Sequence, residues 1–221
     1  MSTPLTKEGN CLCKILYCVH LKNITVGEGE NNNITVSDDT DQAHEVMIID
    51  SGHTFTHLRE KFFEIFLKIV KKELNGKEGE KKGDYHKCFE KDGNVEKLKK
   101  ISFGFNDTKI ELKRENFFDD YTHTDSNGEK KHYMCLTVEG ENEGYHQRLR
   151  NYGKSKEEKT PNILGSRAQM DFLVAFNLKK NINKVSFEDK IKHTEELSVR
   201  SEQEYMCIYA MPFGIRMLYC L

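Results

Sequence analysis

Four residues near the start of the chain, Cys11, Cys13, Cys18 and His20, are of the types that bind zinc, which prefers thiolate and imidazole donors. In a continuous strand Cys11 and Cys13 face one way and Cys18 and His20 the other, so the four do not converge on one ion. His53 and His57 are four residues apart and would share a helical face, but His53 is not followed by the Glu of an H-E-x-x-H motif. They read as solvated groups or local hydrogen-bond partners. A Cys–His nucleophile pair would join residues distant in sequence, and no pattern selects one. The pairs Asp38-Asp39 and Asp119-Asp120 read as loop acids or turn formers rather than a general acid and base. No Walker-type phosphate loop, G-x-G-x-x-G turn or G-x-S-x-G elbow occurs. No catalytic residue, cofactor or metal site follows, and a non-enzyme is expected.

The chain that positions these groups has 221 residues, of which 37% are hydrophobic and 32% charged, enough apolar residues for a core and too many for disorder. A net charge of −2 gives no general attraction to nucleic acid or an acidic membrane. Acids crowd Glu28 to Asp50 and lysines crowd Lys68 to Lys100, which favours charge-matched contacts with a partner or with a second copy of the chain. No apolar run reaches membrane-spanning length, and MSTPLTKEGN lacks the apolar core of a signal peptide. An intracellular protein, cytoplasmic or nuclear, is expected. Its seven cysteines, an odd number without framework spacing, then read as free thiols. The acceptor tripeptides Asn23-Ile24-Thr25, Asn33-Ile34-Thr35 and Asn106-Asp107-Thr108 read as silent for the same reason.

The pattern along the chain predicts a flexible start over 1–10 and a strand from Cys11 to Val26. A polar loop with a short strand at Ile34 to Val36 follows, then a second strand from His44 to Asp50. Asp50-Ser51-Gly52 breaks that strand before a helix capped by Thr54 and stopped by Gly76. Phe55, Leu58, Phe62, Ile65, Phe66 and Ile69 recur at helical steps, and Phe63, Leu67, Val70 and Leu74 form a second apolar stripe that needs its own cover. Gly76 to Gly93 reads as a mobile Lys/Glu/Gly loop. Strands are predicted at Lys100 to Phe105, Lys109 to Leu112 and His132 to Glu139, with a compact turn at Glu115 to Tyr121. A linker is expected over 140–165, followed by a C-terminal segment over 166–221. That segment holds an apolar run at Asp171 to Leu178, strand or helix, a charged helix-like stretch at Phe187 to Val199, and a strand, turn and strand over Tyr205 to Leu221.

The segments VMIIDSGHTFTHLREKF at Val46 to Phe62 and ISFGFNDTKIELKRENFFDDY at Ile101 to Tyr121 resemble parts of ubiquitin-like and Ras-association-type β-grasp domains. The resemblance implies an α+β class over residues 11–139: a mixed sheet packed on a long amphipathic helix, joined by a smaller C-terminal α/β segment. It implies a binding module, and with no catalytic constellation in the chain a non-enzymatic protein-protein interaction module, an adaptor or complex subunit, is expected. The contact residues expected are Phe63, Leu67 and Val70 on the helix and Tyr205, Ile208 and Tyr209 near the C-terminus. The alternative is an RNA-binding protein using Lys68 to Lys100, with Phe103 and Phe105 as an aromatic platform.

Overall fold

The computed structural model describes residues 1–7, 13, 16–27, 33–35, 45–91, 98, 100–141, 161–179, 182–189, 205–211 and 214–220, the last two ranges by backbone course alone. In chain order the first strands are β1 (Ser2–Pro4), β2 (Cys18–Val26), β3 (Asn33–Thr35), β4 (Val46–Ile49) and β5 (Thr56–His57), followed by helix α1 (Glu60–Glu73). Then come β6 (Glu80–Lys82), β7 (Tyr85–Glu90), β8 (Lys100–Phe105), β9 (Lys109–Lys113), the short helix α2 (Arg114–Phe117), β10 (Phe118–Thr124), β11 (Lys130–Leu136) and β12 (Val138–Glu139). The last elements are β13 (Asn162–Leu164), the short helix α3 (Ser166–Gln169), β14 (Phe172–Asn177), β15 (Lys184–Asp189), β16 (Tyr205–Met211) and β17 (Gly214–Cys220).

The described residues are therefore mostly β, and their strands fall into three sheets. A central sheet runs β12-β5-β13-β4-β2-β8-β9, with β3 added beside β2. A second runs β10-β11-β7-β6 and a third β1-β15-β14-β16-β17. Among the described residues, parallel pairing is confined to β4 with β13 and β5 with β12. One apolar core joins the sheets and α1 through side chains such as Ile24, Phe66, Phe103, Phe117, Phe176 and Phe187.

This overturns the β-grasp layout. In a β-grasp the predicted last strand would join the first two in one sheet. Here most of that strand is β11, which pairs with β10 and β7 in another sheet; its last residues, β12, reach the central sheet only through β5, and β13 pairs parallel with β4. That strand, Asn162-Ile163-Leu164, lies in the stretch expected to be a linker and is buried along its length. A three-residue strand is too short to show alternation, so periodicity did not mark it.

Several elements also differ locally. α1 begins at Glu60, not after Thr54, because Thr56 and His57 are drawn into the sheet as β5. It stops where expected: Asn75 and Gly76 take positive φ, and the Gly76 amide bonds the Lys71 carbonyl at 2.8 Å. The buried helix face is Phe62, Phe63, Phe66 and Val70, drawn from both predicted stripes, while Ile65 is 43% exposed. The expected loop after Gly76 contains the β6–β7 hairpin, and the turn at Glu115 to Tyr121 is α2 running into β10. The run at Asp171 to Leu178 is strand β14, and Phe187 to Asp189 belongs to β15 rather than a helix. β1 pairs with β15, so Ser2 to Pro4 are held in a sheet. Residues 190–204, Cys11 and the Asp38-Asp39 pair lie outside the described residues.

Candidate active-site turn

β4 is a continuous apolar run, Val46-Met47-Ile48-Ile49, buried throughout, as expected of a strand covered on both faces with a parallel neighbour. At its carboxyl end the chain turns sharply through Asp50-Ser51-Gly52. The Gly52 amide donates to Asp50 Oδ1 at 2.9 Å, an aspartate capping its own turn, and the His53 amide donates to the Asp50 carbonyl at 3.3 Å. The other carboxylate oxygen, Oδ2, takes no hydrogen bond from the described residues, and Asp50 is only half-buried. A carboxylate is thus held in one orientation with one oxygen open to a ligand, water or proton.

The turn is tied to the segment after β13 from both sides. The Asp50 amide bonds the Leu164 carbonyl at 3.1 Å, Ser166 donates to the His53 carbonyl at 2.6 Å, and Arg167 donates to the Thr54 carbonyl at 3.1 Å. The Gly165 amide reaches Thr56 Oγ1 at 3.3 Å, and Gln169 Nε2 bonds the Leu164 carbonyl at 2.8 Å. Gly165 has to be glycine, because a Cβ there would collide with the Phe55 carbonyl. Asn162 closes the far side, its Oδ1 accepting from the Arg59 amide at 3.0 Å and its Nδ2 donating to the Val46 carbonyl at 3.2 Å. A functional group on such a laced turn is preorganised.

Beneath the turn lies a buried polar group that the sequence did not suggest. His53 and His57, read as solvated groups or local hydrogen-bond partners, are 7% and 4% exposed, with their rings edge-to-face at 4.5 Å. His57 Nε2 stands 3.7 Å from Glu139 Oε2, also buried. Asp119, read as a loop acid or turn former, lies in β10, where it accepts from the Tyr85 hydroxyl at 2.9 Å and pairs with Arg167 of α3.

The other sequence candidates are placed differently from expectation. Cys13 and Cys18 form a disulfide, which removes two of the four zinc-type donors, and Cys88 bridges Cys135 between β7 and β11. Four of the cysteines read as free thiols are thus paired. Phe63 and Val70, expected on a partner surface, are 7% and 0% exposed and belong to the core, and Leu67 is partly buried against it. Tyr205, Ile208 and Tyr209 lie on β16, whose backbone pairs with β14 and β17. Phe103 and Phe105 are core residues rather than a platform. Several lysines expected to meet RNA are paired with acids: Lys71 with Glu78, Lys82 with Glu80 and Lys91 with Asp120. The Lys71 hydrogen bond holds the Glu78 carboxyl below the usual carboxylate range.

Residues 16–189 match the family described as xylanase inhibitor C-terminal. The chain belongs to that family. Among solved structures, basic 7S globulin from soybean matches this chain with a TM-score of 0.55 at 16% identity, over 87% of this chain and 43% of the soybean chain. The chain thus spans less than half the length of that protein. No curated protein matches it. The shared architecture is the pepsin-like one of curled, many-stranded sheets, and it replaces the ubiquitin-like assignment. The adaptor and RNA-binding readings fall with it. No helix among the described residues is long and apolar enough to cross a membrane.

Asp50 is the residue that sequence reasoning missed. Its signal was present in part: four apolar residues running directly into Asp-Ser-Gly, and the pair Ile163-Leu164 ending on Gly165. Asp50-Ser51-Gly52 registered only as a strand break because its second half, Asn162 to Gly165, is far away in the chain.

Proposed function

We propose that this chain is one lobe of a pepsin-like aspartic peptidase and that Asp50 is the carboxylate it contributes. Aspartic proteases hydrolyse the peptide bond with two aspartates that share one proton, since like charges about 3 Å apart cannot both ionise. The ionised carboxylate takes a proton from the attacking water while the protonated one donates to the scissile carbonyl oxygen. The observation that carries the reading is the Asp50-Ser51-Gly52 turn: one carboxylate oxygen is fixed by the Gly52 amide, the other is open, and the turn is tied to Leu164 and Ser166. The second aspartate comes from a second lobe across the open side of the turn.

A second reading has its own support. The family description names xylanase inhibitors, and an inhibitor on this fold would bind a glycoside hydrolase through its surface and cut nothing. Incubating the full-length protein with an unfolded polypeptide and identifying fragments by mass spectrometry separates the two. Cleavage by the wild type that is lost in Asp50→Asn supports the peptidase. A tight complex with a xylanase and no cleavage at any pH supports the inhibitor.

We further propose that the protein folds in an oxidising compartment rather than the cytoplasm or nucleus. The Cys13–Cys18 and Cys88–Cys135 disulfides support this, since such bonds persist where thiols are not held reduced. A thiol count on the isolated protein tests it, and free Cys88 and Cys135 would overturn it.

A further inference from the structure

The disulfides remove the reason for treating the three Asn-x-Thr tripeptides as silent, and the fold then separates them. Asn23 lies inside β2, paired with β3 on one side and β8 on the other, and its side chain is packed so closely on Gly104 that a Cβ there would collide with Asn23 Oδ1. A glycan on this side chain has no room in the folded sheet, so this acceptor is incompatible with the fold. Asn33 is exposed, but it is paired in β3, and its Oδ1 accepts from the Thr25 hydroxyl at 3.3 Å. Asn106 differs from both. It stands at the tip of the β8–β9 hairpin, exposed beside exposed Asp107, and the turn is closed by one backbone bond, Phe105 amide to Thr108 carbonyl, at 2.7 Å. Its side-chain amide bonds no group among the described residues.

We infer that Asn106 is a glycan attachment site, the acceptor being Asn106-Asp107-Thr108. The reaction joins Asn106 Nδ2 to the anomeric carbon of an oligosaccharide carried on a lipid diphosphate. The carbon–nitrogen bond forms, the anomeric carbon–oxygen bond breaks, one amide proton is lost, and the lipid diphosphate leaves. Only a short turn has to reshape for the tripeptide to be reached, and surface loops are where such acceptors are used. The hairpin also opens β9, the edge strand of the central sheet among the described residues, whose outward residues are Lys109, Glu111 and Lys113. A bulky polar glycan beside that edge would add to the charges that keep it from pairing with another chain.

The inference rests on the oxidising compartment proposed above, and one experiment reads both. The full-length protein from its own cells is digested without reduction. One half is treated with an amidase that removes Asn-linked glycans in heavy-oxygen water, and cysteine pairing is read in the other. The expected result is a heavy-oxygen Asp at position 106, an unchanged Asn23, and bridged Cys88–Cys135. Asn106→Gln and Thr108→Ala should each abolish the treated protein's mobility shift, Thr108→Ser should keep it, and Asn23→Gln should leave it unchanged. An unmodified Asn106 overturns the inference. Whether the compartment reading falls too is told by Cys88 and Cys135: free thiols sink both, and a bridge sinks the glycan alone.

Discussion

The backbone amide of Asp50 bonds the carbonyl of Leu164 at 3.1 Å, so the turn after β4 takes its position from a strand more than a hundred residues later in the chain. Gly165 is the point of closest approach between the two segments. Gly165→Ala should cost about 1–3 kcal/mol, because the backbone must separate to admit the methyl group. Denaturant unfolding measures the cost. In the peptidase account, cleavage should fall further than the loss of folded protein explains, since the turn carrying Asp50 moves.

The two disulfides close loops of different size, with separations of 47 residues for Cys88–Cys135 and 5 for Cys13–Cys18. On the chain-entropy account, removing the first by a Cys88→Ala, Cys135→Ala double change costs about 4 kcal/mol and removing the second about 2. Equal losses in chemical unfolding would show that the long loop is already constrained in the unfolded chain.

Phe63 was expected to face a partner and instead fills the core, where Gly140 leaves room for its ring. Phe63→Ala should therefore destabilise by about 3–5 kcal/mol, the range for a buried phenylalanine. A variant as stable as wild type in urea would restore Phe63 to the surface.

His57 and Glu139 are buried together at 3.7 Å, so removing one alone takes a buried partner from the other. Glu139→Leu should cost about 1–3 kcal/mol. His57→Phe combined with it should cost less than the sum of the two single changes, with a coupling of about 0.5–3 kcal/mol in a double-mutant cycle. Strict additivity would mean that the pair does not interact.

Local segments were legible in the sequence where alternation or helical spacing was strong. β2, β4 and β8 lie within predicted strands, β9 runs one residue past its predicted end, and α1 ends at Glu73, just ahead of the predicted stop at Gly76. β16 and β17 also occupy the predicted strand, turn and strand. What failed was the joining of segments. β5 and β13, of two and three residues, carry no period, yet they decide which sheet β4 belongs to. The β6–β7 hairpin read as loop because its outward residues are nearly all charged, with Cys88 and Phe89 its buried pair. The cysteines read as thiols because an odd count masks two bonded pairs. The candidate site failed for the same reason as the fold. Asp50 looks like one more turn acid until Leu164 is placed beside it.

The most direct test of the account is the cleavage rate of a peptide substrate by the full-length protein and by Asp50→Asn across pH. Asparagine keeps the oxygen that accepts the Gly52 amide, so folding should be preserved while the shared proton is lost. The account predicts a bell-shaped profile for the wild type, falling at high pH as the shared proton leaves and at low pH as the second carboxylate takes one up. It predicts a loss of about a hundredfold to ten-thousandfold in Asp50→Asn with an unchanged unfolding midpoint. An Asp50→Asn protein that cleaves as fast as wild type, or a wild type that cleaves nothing at any pH, would contradict it.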